Sequence, residues 1–270
     1  MKVLSFLAAL ILTFPNSQAS PQASAPASTS STQAATLLTQ STAALTGSVT
    51  LSDVTLIGTA RRIAGSDDET GTAVLKARST GASRADLSLP SGKRTEIVDT
   101  SVTPPAGTWS APDGVSHAVA FHNVLPGSAW FFPAFTISLG LSASGYVTTY
   151  VGPETHNGQA VQHISLHQSA PFPNPPRGAT FEHLTQIDLF LDSTTLLPSA
   201  ICFNTHPDNN ELLDIPIEIR FSDYRPVSAA QVPFHIQRYL NNGLILDFQA
   251  DSVTFNTSLS STTFTAGAGL

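Results

Sequence analysis

The chain has 270 residues and a mass of 28.3 kDa, a size that suits one large β-rich domain or two small ones. Acidic residues outnumber basic ones and give a formal net charge of −7, which argues against binding nucleic acid and against electrostatic docking on anionic lipid headgroups. Only 11% of the residues are charged, and the single cysteine, Cys202, excludes an intramolecular disulfide.

The first residues have the pattern of a secretory signal peptide. Lys2 precedes an apolar run from Val3 to Phe14, which is too short to span a bilayer, and Ser17-Gln18-Ala19 places small residues before a cleavage site after Ala19. The sequence therefore predicts a soluble, exported protein, periplasmic or extracellular, with a signal peptide over 1–19 and no stable membrane insertion. Residues 20–31 are rich in Ala, Ser and Pro and predict a disordered tether.

A helix and then a series of strands are expected next. Thr32 to Leu45 consists of helix-forming residues with a sparse apolar stripe, and Gly47 is placed to end the helix. Gly, Asp and Pro at the boundaries of the following segments indicate tight turns, and therefore an antiparallel meander. Its predicted strands are Val54–Ile63, Thr72–Ser79, Ser83–Leu89 and Thr95–Val98.

A helical insertion interrupts the strands. His117 to Leu125 and Ser128 to Leu141 both look helical, with Ser128 as the N-cap and Pro133 as a kink in the second helix. The second helix contains the segment "AWFFPAF" (129–135), whose large side chains cannot all share one narrow stripe. This helix must therefore be covered on more than one side.

A second meander follows the insertion. Asn157-Gly158 and Asn242-Gly243 each lie between two alternating runs, which is the strongest short-range signal for a tight hairpin. Pro171 to Pro176 reads as an extended connector. The predicted strands are Tyr146–Val151, Gln159–His167, His183–Asp192, Leu197–Asn204, Ile215–Asp223, Val232–Tyr239 and Leu244–Phe255.

These elements predict a mainly β (α+β) fold: one strongly curved antiparallel half-barrel of about eleven strands. The N-terminal helix and the inserted helical segment would lie against its concave face. A single domain is expected over residues 32–260, followed by a flexible tail over 261–270.

Motifs for catalysis or metal binding are sparse. There is no Gly-x-Ser-x-Gly nucleophile turn, and His163 and His167 would be about 13 Å apart on a strand, too far to share a metal ion. The carboxylates of Asp67, Asp68 and Glu69 fit a solvated hairpin tip, with a weak calcium site as the alternative. The sequence thus predicts a non-enzymatic protein without cofactor or metal.

The aromatic segment is the feature that suggests a function. A half-closed sheet of this many strands encloses more space than one short helix fills, so an apolar cavity for acyl chains is predicted beneath it. The alternative is a completely filled core in a structural or partner-binding envelope protein. The predicted lid and wall of the cavity are Trp130, Phe131, Phe132, Phe135, Phe234, Ile236, Leu246 and Phe248.

Three later segments carry a family resemblance. Asp192–Pro198, Asp223–Pro226 and Val232–Ile236 resemble the turn and strand-pair motifs of the LolA/LolB-like family of periplasmic lipoprotein carriers, and the order of elements agrees as well. Thr195 stands where that family has Gly. These motifs mark turns, so they bear on fold more than on activity.

The resemblance implies a soluble exported carrier or sensor whose partner is a lipid or an acylated protein. It also implies an early-strand arginine that holds a lid helix, for which Arg61, Arg62 and Arg84 are all candidates. A more distant alternative is a hydrolase whose Ser, His and Asp come from separate parts of the chain.

Overall fold

The computed structural model describes residues 27–142, 145–171 and 174–265, so the predicted signal peptide lies outside the described residues. The helices of the described residues are α1 (Ala27–Thr46), α2 (Phe121–Val124), α3 (Pro133–Ser142) and α4 (Pro175–Leu184), with a 3-10 turn at Ser261–Phe264. The strands are β1 (Asp53–Ala64), β2 (Asp67–Arg78), β3 (Ser83–Leu89), β4 (Gly92–Asp99), β5 (Ala106–Ser110), β6 (Ser116–Val119), β7 (Tyr146–His156), β8 (Gln159–Gln168), β9 (Ile187–Asp192), β10 (Pro198–Thr205), β11 (Ile215–Val227), β12 (Ala230–Leu240) and β13 (Gly243–Phe255).

All thirteen strands form one antiparallel sheet in the order β6-β5-β4-β3-β2-β1-β13-β12-β11-β10-β9-β8-β7. Consecutive strands pair with each other, apart from β6 and β7, and β1 also pairs with β13, which joins the two meanders at the centre. The edge strands β6 and β7 do not pair with each other, so the sheet stays open. The predicted fold class, a curved antiparallel half-barrel, is confirmed.

The hairpin before β13 differs by one residue from the prediction. Leu240 pairs with Gly243, so the two turn residues are Asn241 and Asn242, with φ of 47° and 65°. Asn tolerates this left-handed backbone better than other residues with a side chain, which leaves Gly243 free to begin the strand. At the other predicted hairpin, Asn157-Gly158 is the turn, as expected.

The helical insertion is shorter than predicted. His117 lies on the short strand β6, which pairs with β5, and α2 is a single turn. Pro133 begins α3 instead of kinking it, because the first helical position needs no N–H donor. Ser128 is not its N-cap; the hydroxyl donates to the carbonyl of Gly81.

Two connecting segments also differ from the expected structure. The predicted strand from His183 begins only at Ile187, because α4 continues to Leu184. The connector expected to be extended up to Pro176 instead has Pro175 at the first turn of α4. Proline is again accommodated in a first helical turn.

The core lies between the concave face of the sheet and the helices α1 and α3. Ala34, Leu38, Ser41 and Leu45 form the buried stripe of α1, at the spacing of one helix face. Because α1 begins at Ala27, the expected tether does not extend to residue 31.

The 3-10 turn at Ser261–Phe264 packs against the sheet. Phe264 is 1% exposed, and Arg84 Nη1 donates to the carbonyl of Thr263 over 3.3 Å. The flexible tail over 261–270 stays a prediction; within it, Phe264 occupies a buried position against β3 and β4.

Candidate functional site

The aromatic segment fills the centre of the concave face. Trp130 and Phe131 meet edge to face with ring centres 5.3 Å apart, and Phe132 meets Phe135 in the same way at 4.9 Å. All four side chains are at most 3% exposed. Such pairs add to the stabilisation from burial, so this part of the concavity is packed core.

An open cavity remains beside this packed region, on the same face of the sheet. Its volume is about 240 Å³, and Trp130 closes one side of it. The apolar walls come from β3, β5 and β13. The apolar residues that line it are Ala85, Leu87, Trp109, Trp130, Ile245 and Leu246.

The eight residues expected to form lid and wall are therefore divided. Trp130 and Leu246 line this cavity. The other six belong to the packed core around it and are at most 8% exposed: Phe131, Phe132, Phe135, Phe234, Ile236 and Phe248. A ligand role for any of the eight stays a prediction.

Charged residues also line the cavity, and we call them its cationic rim because three are arginines and one is a glutamate. They are Arg62, Arg94, Arg238 and Glu96. Arg238 Nη1 lies 3.0 Å from Glu96 Oε2. Arg62 Nη1 and Arg94 Nε are buried and have no hydrogen-bond partner among the described residues. Because side chains alternate between the two faces of a strand, the sequence pattern can place the residues of the cationic rim on the concave face. Only the fold shows that they surround the same opening.

Of the three early-strand arginines, Arg62 alone reaches this cavity. Arg61 makes two hydrogen bonds to Asp68, of 2.7 and 2.6 Å, on the exposed side of the sheet. Arg84 pairs with Asp86 at 2.7 Å. Because Asp68 is engaged in this way, and Glu69 accepts from Ser91, the carboxylates of this hairpin do not converge as a calcium site.

A second cavity adjoins the first. It also has a volume of about 240 Å³ and lies between β4, β5 and β10. Glu96, Trp109 and Arg238 line both cavities, so the ion pair of Glu96 with Arg238 borders the two spaces. Each cavity is somewhat smaller than a typical small-molecule pocket of about 300–1,000 Å³.

A Ser-His-Asp row lies elsewhere on the sheet. Ser222 Oγ is 3.1 Å from His235 Nδ1, and His235 Nε2 is 2.9 Å from Asp247 Oδ1. In serine hydrolases Nε2 faces the serine and Nδ1 faces the aspartate, so the ring is reversed here. Ser222 is exposed, and none of the three residues lines either cavity. The row resembles cross-strand hydrogen bonding more than a catalytic site.

The structure brings together two groups of side chains that could bind a metal ion and that the sequence did not reveal. His156, Cys202 and Glu218 form one, and His183, His206 and Asp214 form the other. Their members are separated along the chain, so no spacing motif could reveal them. Burial first, and then the negative charges of Glu218 and Asp188, raise the pKa of the Cys202 thiol to about 12, which leaves it protonated and unreactive.

Similarity to known proteins is confined to the fold. Neither a scan of family sequence models nor a search of curated sequences finds a match. A domain from Vibrio parahaemolyticus named for outer membrane lipoprotein sorting aligns with a TM-score of 0.54 and 12% identity, over 87% of this chain and 97% of that one.

Two more solved structures agree. A DUF1329 family protein from Desulfovibrio piger has a TM-score of 0.52 and 11% identity, over 89% of this chain and 99% of its own. A LolA superfamily protein from Nitrosomonas europaea has a TM-score of 0.50 and 10% identity, over 86% and 97%. The chain has a LolA-like fold, as the turn motifs indicated. Within the described residues, no helix combines the length and apolar character needed to cross a bilayer.

Proposed function

We propose that this chain is an exported, non-enzymatic binding protein that holds an acyl chain of a lipid or of a lipidated protein in the cavity beside Trp130. The observation that carries the proposal is the combination of apolar walls and a cationic rim in one opening on the concave face. An amphipathic molecule with an anionic headgroup matches both parts.

The energetics are favourable for such a ligand. Each methylene group moved from water into the cavity contributes about 0.8 kcal/mol, so a short stretch of acyl chain provides useful affinity. Arginine binds carboxylate and phosphate through paired hydrogen bonds, and Arg62 and Arg94 each have a buried nitrogen without a partner. The Vibrio domain is named for lipoprotein sorting, which accords with an acylated ligand.

The proposal is tested by two measurements on the purified protein. Solvent extraction of protein made in a native-like host should yield about one acyl chain per protein, and the delipidated protein should bind a fluorescent fatty acid more tightly than the matching neutral alcohol. Recovery of no bound lipid, together with no response to the probe, would exclude an acyl ligand.

A second candidate is a structural or partner-binding envelope protein whose concavity is filled. The complete burial of Phe131, Phe132 and Phe135 favours it. This candidate requires that substitutions lining the cavity change stability without changing the binding of any acyl ligand. The two candidates therefore give opposite results in the probe experiment.

A further inference from the structure

A cluster of histidines and one carboxylate lies where three separate segments meet. His183 is in the last turn of α4, His206 follows β10, and Asp214 precedes β11. His183 Nε2 and His206 Nε2 lie 2.8 and 3.0 Å from the same oxygen, Oδ1 of Asp214. Two imidazole nitrogens and a carboxylate thus converge on one point.

The cluster leaves buried nitrogens without partners. The His206 side chain is fully buried, and its Nδ1 has no hydrogen-bond partner among the described residues. Nε2 of His122, on α2, is also buried and lacks a partner within the same residues. The His122 ring stands edge-on to the His206 ring, with 5.7 Å between centres. Unsatisfied buried polar atoms are costly, so the side of His206 away from Asp214 lies in a polar region whose hydrogen bonds are incomplete.

His206 is held in place by Asn123. The Asn123 side chain accepts a hydrogen bond from the backbone N–H of His206 at 2.8 Å and donates to the backbone carbonyl of the same residue at 2.7 Å. It also accepts from Thr205 Oγ1 at 3.0 Å. These bonds fix the backbone at His206 and so limit where its ring can lie.

We propose that His183, His206 and Asp214 bind a divalent transition-metal ion, with Zn²⁺ as the best match. Imidazole and carboxylate are zinc ligands at about 2.0–2.2 Å, and tetrahedral geometry then separates neighbouring ligand atoms by about 3.3 Å. The observed separations of 2.8 and 3.0 Å would need to open by at most about half an ångström. The His183 and Asp214 side chains are 41% and 44% exposed, so an ion can reach the site from solvent.

Other clusters are less suitable. Glu218 already accepts hydrogen bonds from His156, Asn157 and Arg220, one more partner than Asp214 has. His235 and Asp247 have no second histidine in contact. Of the two groups found among the described residues, only the His183 cluster brings two imidazole nitrogens to the same carboxylate oxygen.

The ion would tie α4 to the loop that joins β10 and β11. This loop carries Leu212 and Leu213, which are 75% and 53% exposed and add nothing to the core. Metal coordination at the base of this loop would therefore hold in place a segment that is not held by apolar packing. None of the proposed ligands lines the cavity beside Trp130, so this site is independent of the acyl-binding proposal.

The test is calorimetric titration of Zn²⁺ into the chelator-treated full chain carrying no affinity tag, with Ca²⁺ and Mg²⁺ as hard-cation comparisons. We expect one Zn²⁺ per chain and no binding of Ca²⁺ or Mg²⁺, because imidazole is a poor ligand for hard cations. Co²⁺ should give the intense visible spectrum of tetrahedral nitrogen and oxygen coordination.

His183→Ala and Asp214→Asn should each weaken Zn²⁺ binding at least about tenfold, since each removes one of three protein ligands. His183 is partly exposed, so its variant should fold. His235→Ala is the matched control, because it removes a histidine that contacts a single aspartate and should leave the affinity within about twofold. Failure of the wild-type chain to bind Zn²⁺, or an equal loss in His183→Ala and His235→Ala, would overturn the proposal.

Discussion

The Arg238 guanidinium carbon lies 4.9 Å from the centre of the Trp130 ring, so a charged side chain covers the face of a buried tryptophan. The same guanidinium makes the ion pair with Glu96 that borders both cavities. Packed core and cationic rim therefore meet at Trp130. Substitutions at this point separate the structural role of the aromatic segment from a role in binding.

Trp130→Ala should lower the free energy of unfolding by about 3–5 kcal/mol, because truncating a buried tryptophan leaves a void in the core. Trp130 is 3% exposed, whereas Trp109 is 45% exposed. Trp109→Ala should therefore cost less than about 1 kcal/mol. Urea denaturation of both variants checks this prediction, and similar losses at the two positions would contradict it.

Leu87→Trp should reduce the affinity for the fluorescent fatty acid at least about tenfold, equivalent to about 1.4 kcal/mol, because the larger ring occupies the cavity. Leu87 is only partly buried, so the protein should remain folded. Ile57→Trp, at a position 47% exposed and away from the cavity, is the control and should bind the probe as the wild type does. If Leu87→Trp bound the fatty acid as tightly as the wild type, the ligand would have to bind outside this cavity, or the protein would have no acyl ligand.

We expect the protein to lose stability in acid because of the buried carboxylate of Asp53. Its carboxylate accepts hydrogen bonds from Thr257 and Ser258 and so holds the segment after β13. Burial by itself would raise the pKa of Asp53, but the hydrogen bonds, first from Thr257, outweigh it and hold the pKa below its ordinary value of 3.8.

Because the folded pKa is depressed, the stabilisation is complete above pH 3.8 and is lost as the pH falls through the lower folded value. Asp53→Asn should lower stability at neutral pH by about 2 kcal/mol and weaken the acid dependence, since bonds to a charged acceptor are the stronger ones. Asp223→Asn, at an exposed ion pair with Arg225, should change little. Denaturation curves between neutral and acid pH compare the two, and identical behaviour would refute the role of Asp53.

Phe264→Ala should cost about 3 kcal/mol of unfolding free energy, since Phe264 is 1% exposed. Phe121→Ala provides the comparison at a residue 45% exposed and should be nearly neutral. Thermal unfolding distinguishes them. If Phe264→Ala left the unfolding free energy unchanged, residues 261–264 would have no structural role.

The Ser222, His235 and Asp247 row should have no hydrolytic activity. The imidazole is reversed, and the three residues line neither cavity, so the row has neither a correctly placed base nor a site for substrate. Assays with activated esters should give equal rates for the wild type and Ser222→Ala. Activity in the wild type that disappears in both Ser222→Ala and His235→Ala would establish an enzyme instead.

Prediction from the sequence was reliable where local chemistry decides the structure. Asn157-Gly158 forms its hairpin because both residues accept positive φ. It was unreliable for β5 and β6, which are five and four residues long: alternation over so few residues is weak, and His117 on β6 was assigned to a helix. β5 forms because β4 offers it a partner strand, and β6 forms because β5 does, so neither strand follows from its own residues alone.

By itself the sequence determined the antiparallel meanders, the turns and the burial of the aromatic segment, because alternation, turn residues and ring size act over a few neighbouring positions. Only the tertiary structure decided which side chains meet across the sheet. Arg62 lies at the same cavity as Trp130, and His183 lies beside His206 and Asp214, because the fold brings together residues that are tens of positions apart in the sequence. Which distant residues become neighbours depends on strand order and register, and these are set by the packing of the whole chain.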